Sequence, residues 1–219
     1  MGLQELLSTY GDMYVQALLV TWRMTAIAFA GAMLLALLVT VARVSPIKPL
    51  RKLGDLYVQI FRNIPGVSLL IICVYALPHL KVVLDYGVCV ILTTTLVASA
   101  FGSENFMSGI NTIGVGQVEA ARSLGLSFGQ ILRQVVIPQA LRSAVLPMTN
   151  LLIAVMLTTA LGSQVPLDPP ELTGLVSYIN TRSVGGILAF FISAIGYAGT
   201  AFAIGIVGNQ IDKRVRILR

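Results

Sequence analysis

The chain has 219 residues, of which 56% are hydrophobic and only 11% charged, and its net charge is +6. Soluble domains of this length carry far more charge, and several apolar runs are long enough to cross the roughly 30 Å hydrocarbon layer of a bilayer. An ordinary soluble enzyme is thereby excluded, and the expectation is an all-α polytopic membrane protein, one domain over residues 1–219, with five transmembrane helices.

Residues 1–12 carry Glu5 and Asp12 and no base, and read as a surface amphipathic segment. No basic residue precedes the first apolar run, so a secretory leader is not expected. Met1-Gly2 invites myristoylation, but Leu6 stands where Ser or Thr is wanted. The first span is placed at 13–42. Trp22 suits an interface, and Arg23 is expected to snorkel toward headgroups rather than meet substrate.

Residues 43–62 hold Arg43, Lys48, Arg51, Lys52 and Arg62, with Pro46 and Pro49 near the start. From Leu50 to Phe61, the positions Leu53, Leu56, Tyr57 and Ile60 have helical spacing and predict a helix on the membrane surface. Asn63-Ile64-Pro65-Gly66 then turns the chain. The second span, 66–80, is short at ~22 Å. His79 is read as a solvent-facing loop residue, since no partner ligand is near it in sequence. Cys73 and Cys89 sit in apolar runs without metal or disulfide spacing and are read as packing residues.

The third span, 86–109, contains Glu104, the one carboxylate well inside a predicted span. Such a group either serves a solute path or pairs with a base of the neighbouring loop. A long polar loop covers 110–142, and the fourth span 144–161. Residues 163–183 form a second loop with Pro166, Asp168, Pro169, Pro170 and Glu171, in which Leu172, Leu175, Val176 and Ile179 suggest a short surface helix. The fifth span, 184–207, is rich in glycine, which favours close helix approach in lipid. The tail is basic.

Charge placement orients these spans. Twelve of the fifteen Lys and Arg residues fall in 43–62, in the long polar loop with its edge, or in the tail. The positive-inside rule makes that side cytoplasmic and the N-terminus external. The bases then face lipid headgroups and protein partners, not nucleic acid.

The long loop has the strongest internal grammar. Gln117 to Leu124 reads as one helix, which Gly125 ends by supplying a left-handed position. Ser127 opens a second helix, with Gln130 three residues on to complete a capping box. Phe128, Ile131, Leu132, Val135 and Val136 form its apolar stripe, and Pro138 is expected to stop or kink it. There is no Gly-x-x-x-x-Gly-Lys-[Ser/Thr] run, no Ser/His/acid set and no metal cluster, so the chain has no visible energy source of its own.

Glu119-Ala120-Ala121, three residues, Gly125, nine residues, Val135, one residue, Ile137-Pro138: this pattern resembles the EAA loop of bacterial ABC-type import permeases. Its surroundings, from Ser103-Glu104 through Gly116-Gln117 to Pro147, resemble the polar amino-acid branch. The similar family also places an arginine and a proline where Arg62 and Pro65 stand.

The resemblance implies a type I ABC importer permease-like fold and a multi-pass subunit of the bacterial plasma membrane. It implies a transport subunit rather than an enzyme, one that would move a polar amino acid of the glutamate or glutamine kind. It further implies that Gln117 to Leu124 is a coupling helix seated on a cytoplasmic ATPase dimer through Glu119, Ala120, Ala121, Arg122, Gly125 and Pro138, with Arg133 as a further contact. ATP and Mg would be held in that partner, with no cofactor in this chain. An external solute-binding protein would meet the outer loops, with Asp168 to Glu171 as candidate contacts.

Two departures bear on the cargo. Met107 replaces an arginine common in relatives, and Met156-Leu157 replaces a Lys-acid pair. Both remove charge, which points to a heterodimer whose second permease subunit carries the charged contacts. The path candidates left in this chain are Glu104, Asn105, Asn150, Thr158, Thr159 and Gln164. At least one of the two threonines is expected to bond backbone within its helix. The alternative is an ion- or proton-coupled secondary transporter of a small polar solute, for which an inverted repeat is expected and none is visible.

Overall fold

A computed structural model of the chain describes residues 2–182 and 186–215. Among the described residues the structure is helical, without strands: α1 (Leu3–Val44), α2 (Lys48–Asn63), α3 (Gly66–Ile71), α4 (Tyr86–Asn111), α5 (Val115–Ser123), α6 (Phe128–Ile131), α7 (Ile137–Ser143), α8 (Val145–Thr158), α9 (Leu172–Asn180) and α10 (Gly186–Val215). Helices α1, α4 and α10 are each long and apolar enough to cross a bilayer, and so is α8 with its 3-10 extension to Gln164. The remaining candidate crossing is a bent pair: α2 meets the segment Gly66–Leu80 at 99°.

The contacts give the directions of the helices. Along α1 and α4, Gly31 meets Thr95, Ala36 meets Gly102 and Arg43 meets Ser103, so the two run parallel. Helix α8 runs against α4, with Asn105 at Pro147 and Gly102 at Leu151. Helix α10 runs with α1, since the Tyr14 hydroxyl donates to Ala189 O and Trp22 Nε1 donates to Thr200 Oγ1. One end of the bundle therefore gathers the ends of α1 and α4, helix α2 and the polar loop, and most of the bases; we call it the basic end. The other holds the proline-rich connection before α9.

The seam lies where the sequence puts small residues four apart. Ala28, Ala32 and Ala36 of α1 are buried against Ala98 and Phe106 of α4 and Met148, Leu151 and Val155 of α8. Threonines on this helix hide their hydroxyls by bonding back one turn, as Thr25 does to Thr21 O and Thr40 to Ala36 O. The glycine-rich last span meets expectation in part: Gly208 comes up against Thr149 of α8 and Gly196 against Leu172 of α9, while Gly199 and Gly205 have nothing within reach of an added Cβ. Within α10 only Ala189, Ser193 and Gly208 are buried, and it covers the flank of α1, α8 and α9. The bare alanine surface of α1 permits close packing on α4 and α8, and Gly208 permits it between α10 and α8.

Two further expectations change. Residues 1–12 are no separate surface segment; α1 starts at Leu3 and buries Leu6 against Leu172, Leu175 and Ile179. The short helix in the proline-rich connection, α9, is likewise not a surface helix. Its apolar face is fully buried against α1 and Ala189 of α10. The start of α1, α9 and the first turns of α10 thus cover one another.

Candidate functional site

At the basic end the polar loop stands as a compact unit. Helix α5 ends as its sequence dictates. Leu126 N–H donates to Ala121 O at 3.2 Å and Gly125 N–H to Arg122 O at 2.9 Å, the double bond of a Schellman motif, with Gly125 at φ +78°. Ser127 N–H then donates to Gln130 Oε1 at 2.8 Å and Gln130 N–H to Ser127 Oγ at 3.4 Å, the reciprocal cap expected there.

Pro138 does not stop the second helix. A π turn over Leu132–Val136, closed by Ile137 N–H donating to Leu132 O, shifts the ladder by one residue, and α7 continues to Ser143. The wider turn relieves the clash that a proline ring has with the preceding turn. The same device precedes Pro78, where a π turn covers Ile72–Ala76.

The two alanines of the motif divide their work. Ala121 is buried with Ile131 and Val136, while Ala120 is exposed. Glu119, Arg122 and Arg133 are exposed too. Sequence reasoning missed the outward apolar residues at the two ends of α5: Val115 is 72% and Leu124 81% exposed. Beneath the helix, a cavity of about 270 Å³ is bounded by Val118, Arg122, Leu126 and Phe128. Gln139 Nε2 donates to Gln117 Oε1 at 2.7 Å and ties α7 to α5.

The six path candidates separate into two sets. Asn105, Asn150 and Thr158 come together on an open groove of about 510 Å³ between α4 and α8. Thr94, which the sequence reading passed over, lines the same groove; its hydroxyl is buried and has no hydrogen-bond partner. Asn105 Nδ2 donates to Pro147 O at 3.2 Å, and Thr158 Oγ1 to Ala154 O at 2.7 Å. Amide and hydroxyl groups open at this depth need protein or water opposite them, not lipid.

Glu104, Thr159 and Gln164 lie elsewhere. Glu104 Oε1 accepts from Arg43 Nη2 at 2.9 Å and lies 3.6 Å from Arg62 Nη1, so its charge is met by the loop bases. Thr159 is buried and donates to Met156 O at 2.6 Å. Gln164 borders a separate cavity with Val67, Leu70, Ile71, Val74 and Tyr75.

The external-loop expectation for Glu171 is corrected. Its side chain is fully buried and caps α9, accepting from Thr173 N–H at 2.6 Å, Gly174 N–H at 2.7 Å and Tyr197 Oη at 2.8 Å. A buried cap cannot meet another protein. Burial raises its pKa above the ordinary carboxylate value, and the three donors pull it back only in part. Asp168 remains in the connection itself.

Residues 32–217 match the family described as the binding-protein-dependent transport system inner membrane component. The chain is 32% identical to the glutamate transport system permease protein GluC of Corynebacterium efficiens, over 94% of this chain and 96% of that protein. It is also 32% identical to the probable glutamine ABC transporter permease protein GlnM of Bacillus subtilis, over 93% and 94%. Its fold superposes on a crystal structure of an amino acid ABC transporter with TM-score 0.87 at 22% identity, covering 95% of this chain and 96% of that one. With its helical bundle and its EAA loop in place, the chain belongs to the family of binding-protein-dependent transport system inner membrane components, as a multi-pass permease subunit of an ABC importer.

Proposed function

We propose that this permease carries a polar amino acid of the glutamate or glutamine kind inward, powered by an ATPase dimer that seats on α5. The observation that carries the reading is the outer surface of α5. Glu119, Ala120 and Arg122 are exposed there, and the unpartnered apolar residues Val115 and Leu124 mark its two ends. Such a surface suits a groove on another protein, and Gly125 fixes its angle to the rest of the loop. Closure of two ATPase subunits around ATP and Mg would draw two such helices together, and the α5–α7 unit would pass that shift to α4 and α8. Pro138 and the π turn before it lie within that unit.

The basic end is cytoplasmic and the N-terminus external, supported by the positive-inside distribution of Lys and Arg. Solute delivered by an external binding protein passes along the groove of Thr94, Asn105, Asn150 and Thr158. Those groups are uncharged, so the second permease subunit, a different chain, supplies the counter-charges for a zwitterion. The relatives' printed substrates, glutamate and glutamine, support the cargo class.

The test is capture of the tagged chain from its own membranes, together with uptake of labelled glutamate, glutamine, arginine and histidine. An ATPase, a second permease and ATP-dependent uptake of glutamate or glutamine are expected. Gly125→Arg and Glu119→Lys should lose the ATPase while the chain stays in the membrane. Uptake driven by an ion gradient with no ATPase bound overturns the reading.

A further inference from the structure

Helix α2 has three faces. Gly54 and Val58 are turned inward; a Cβ on Gly54 would stand 2.7 Å from Arg43 Cγ, so glycine is what lets α2 lie against α1. Tyr57 Oη is 2.6 Å from Ser99 Oγ and donates to Leu96 O, which fastens the helix to α4. A second face is apolar and exposed: Leu50, Leu53, Leu56 and Ile60, with Leu53 at 63%. A third carries Lys48, Arg51 and Lys52, all exposed.

The charge on the third face is not cancelled. Asp55 lies four residues after Arg51 and three after Lys52, the spacing at which an acid normally pairs along a helix. It is instead held by Arg43 of α1, Nε to Oδ1 at 2.9 Å. Among the described residues no ion pair engages Lys48, Arg51 or Lys52. The helix thus sends its single carboxylate to a neighbour and keeps a block of free cations beside an apolar stripe. It also meets the following segment at 99°, so when that segment crosses the bilayer α2 lies along its surface.

We propose that this face of α2 is a binding site for anionic phospholipid in the adjoining leaflet. The leucines and Ile60 enter the acyl boundary, while Lys48, Arg51 and Lys52 hold headgroup phosphates. Apolar burial and cation–phosphate attraction then act on the same helix. Arg43 is the positioning residue: by taking Asp55 it leaves the lipid face basic. A polyanionic protein is the competing occupant; the exposed leucine stripe favours lipid, because a protein partner would bury it and a bilayer already does.

The experiment uses the purified full-length chain in phosphatidylcholine vesicles containing spin-labelled phosphatidylglycerol or spin-labelled phosphatidylcholine. The wild type should immobilise the anionic label in preference to the neutral one, and added salt should reduce that preference. Lys48→Gln/Arg51→Gln/Lys52→Gln should lose most of the preference, up to about fivefold in relative affinity for each base removed. The charge-keeping set Lys48→Arg/Arg51→Lys/Lys52→Arg should retain it, and so should Lys213→Gln/Arg214→Gln at the far end of α10. Since the substituted positions are exposed, thermal unfolding of each variant should match the wild type. Equal immobilisation of both labels by the wild type, an undiminished preference in the triple Gln variant, or its loss in the α10 variant overturns the proposal.

Discussion

The two ends of the bundle each turn on a carboxylate, and they hold it in opposite ways. At the basic end, Glu104 is 35% exposed in its side chain and sits between Arg43 and Arg62. At the proline-rich end, Glu171 is fully buried and, among the described residues, lies in no ion pair; two backbone amides and the Tyr197 hydroxyl donate to it. The first is an ion pair in water's reach, which screening weakens and which is worth little per contact. The second is a set of hydrogen bonds in a dry place, where leaving the donors unmet is costly. The end that carries the polar loop has the soft joint, and the end where α1, α9 and α10 converge has the hard one.

Breaking the hard joint should have the largest effect. Glu171→Ala removes the cap of α9, strands the Tyr197 hydroxyl and opens a gap, at a cost of about 3 kcal/mol. Glu171→Gln keeps the shape and one acceptor and should cost about 1 kcal/mol. Both free cysteines, Cys73 and Cys89, are buried, so a thiol-reactive dye followed on heating in detergent reads these losses. Equal melting of wild type and Glu171→Ala would show that the cap holds nothing together.

The pH dependence sharpens the same contrast. Burial puts the folded pKa of Glu171 above its ordinary 4.5, so the folded state holds the proton more tightly than the unfolded chain. The resulting stabilisation is complete below about pH 4.5 and is lost as pH rises through the folded value. The quantity to follow is the difference between wild type and Glu171→Gln, which isolates this one group. That difference should fall from its most stabilising value as pH rises from 4 toward neutrality. A difference constant with pH would mean that Glu171 titrates as if in water.

What was legible in the sequence follows the same division. Chemistry that closes within a few residues was readable: the Gly125 turn, the Ser127–Gln130 box and the period of α2 each appear in the structure as their spacing requires. The groove was half readable, because Asn105 and Asn150 announce themselves as amides in a lipid-deep helix, while Thr94 looks like any helix-packing threonine. Glu171 was misread because its burial depends on α1 and on Tyr197, twenty-six residues away, and a proline-rich acidic stretch gives no sign of either. Glu104 was left open for a related reason: the bases that meet it come from the end of α1 and the end of α2. At Pro138 the sequence left a stop or a kink open, and the continuing helix excludes the stop; the π turn that admits the ring leaves no mark on side-chain periodicity.

At the soft joint, Arg43→Gln frees Asp55 and leaves Glu104 with Arg62 alone; both carboxylates are partly exposed, so the cost should be only about 1 kcal/mol. The double variant Arg43→Gln/Glu104→Gln should recover part of that loss, giving a coupling energy in a double-mutant cycle. Raising salt should lower wild-type stability toward that of Arg43→Gln while leaving the Glu171→Ala penalty unchanged, because a Debye length of about 8 Å reaches the open pair and not the dry cap. If salt moved both penalties alike, the distinction between the two ends would fail.

The smallest expected effect lies in the polar loop itself. Gly125 stands at φ +78° with nothing within reach of an added Cβ, so a substitution there strains backbone without clashing. Gly125→Ala should cost about 1 kcal/mol, and Gly125→Asn less, because asparagine tolerates the left-handed region. Global melting should barely register either change, since the loop's own cluster of Ala121, Ile131 and Val136 is small. Amide exchange should register it: the Leu126 and Gly125 N–H groups close the end of α5, and their protection should drop in Gly125→Ala and hold in Gly125→Asn. If ATPase capture followed the same order, with asparagine above alanine, the angle set by that turn would be what the partner reads. If both variants lost the partner alike while protection differed, the partner would instead be reading the bare glycine surface.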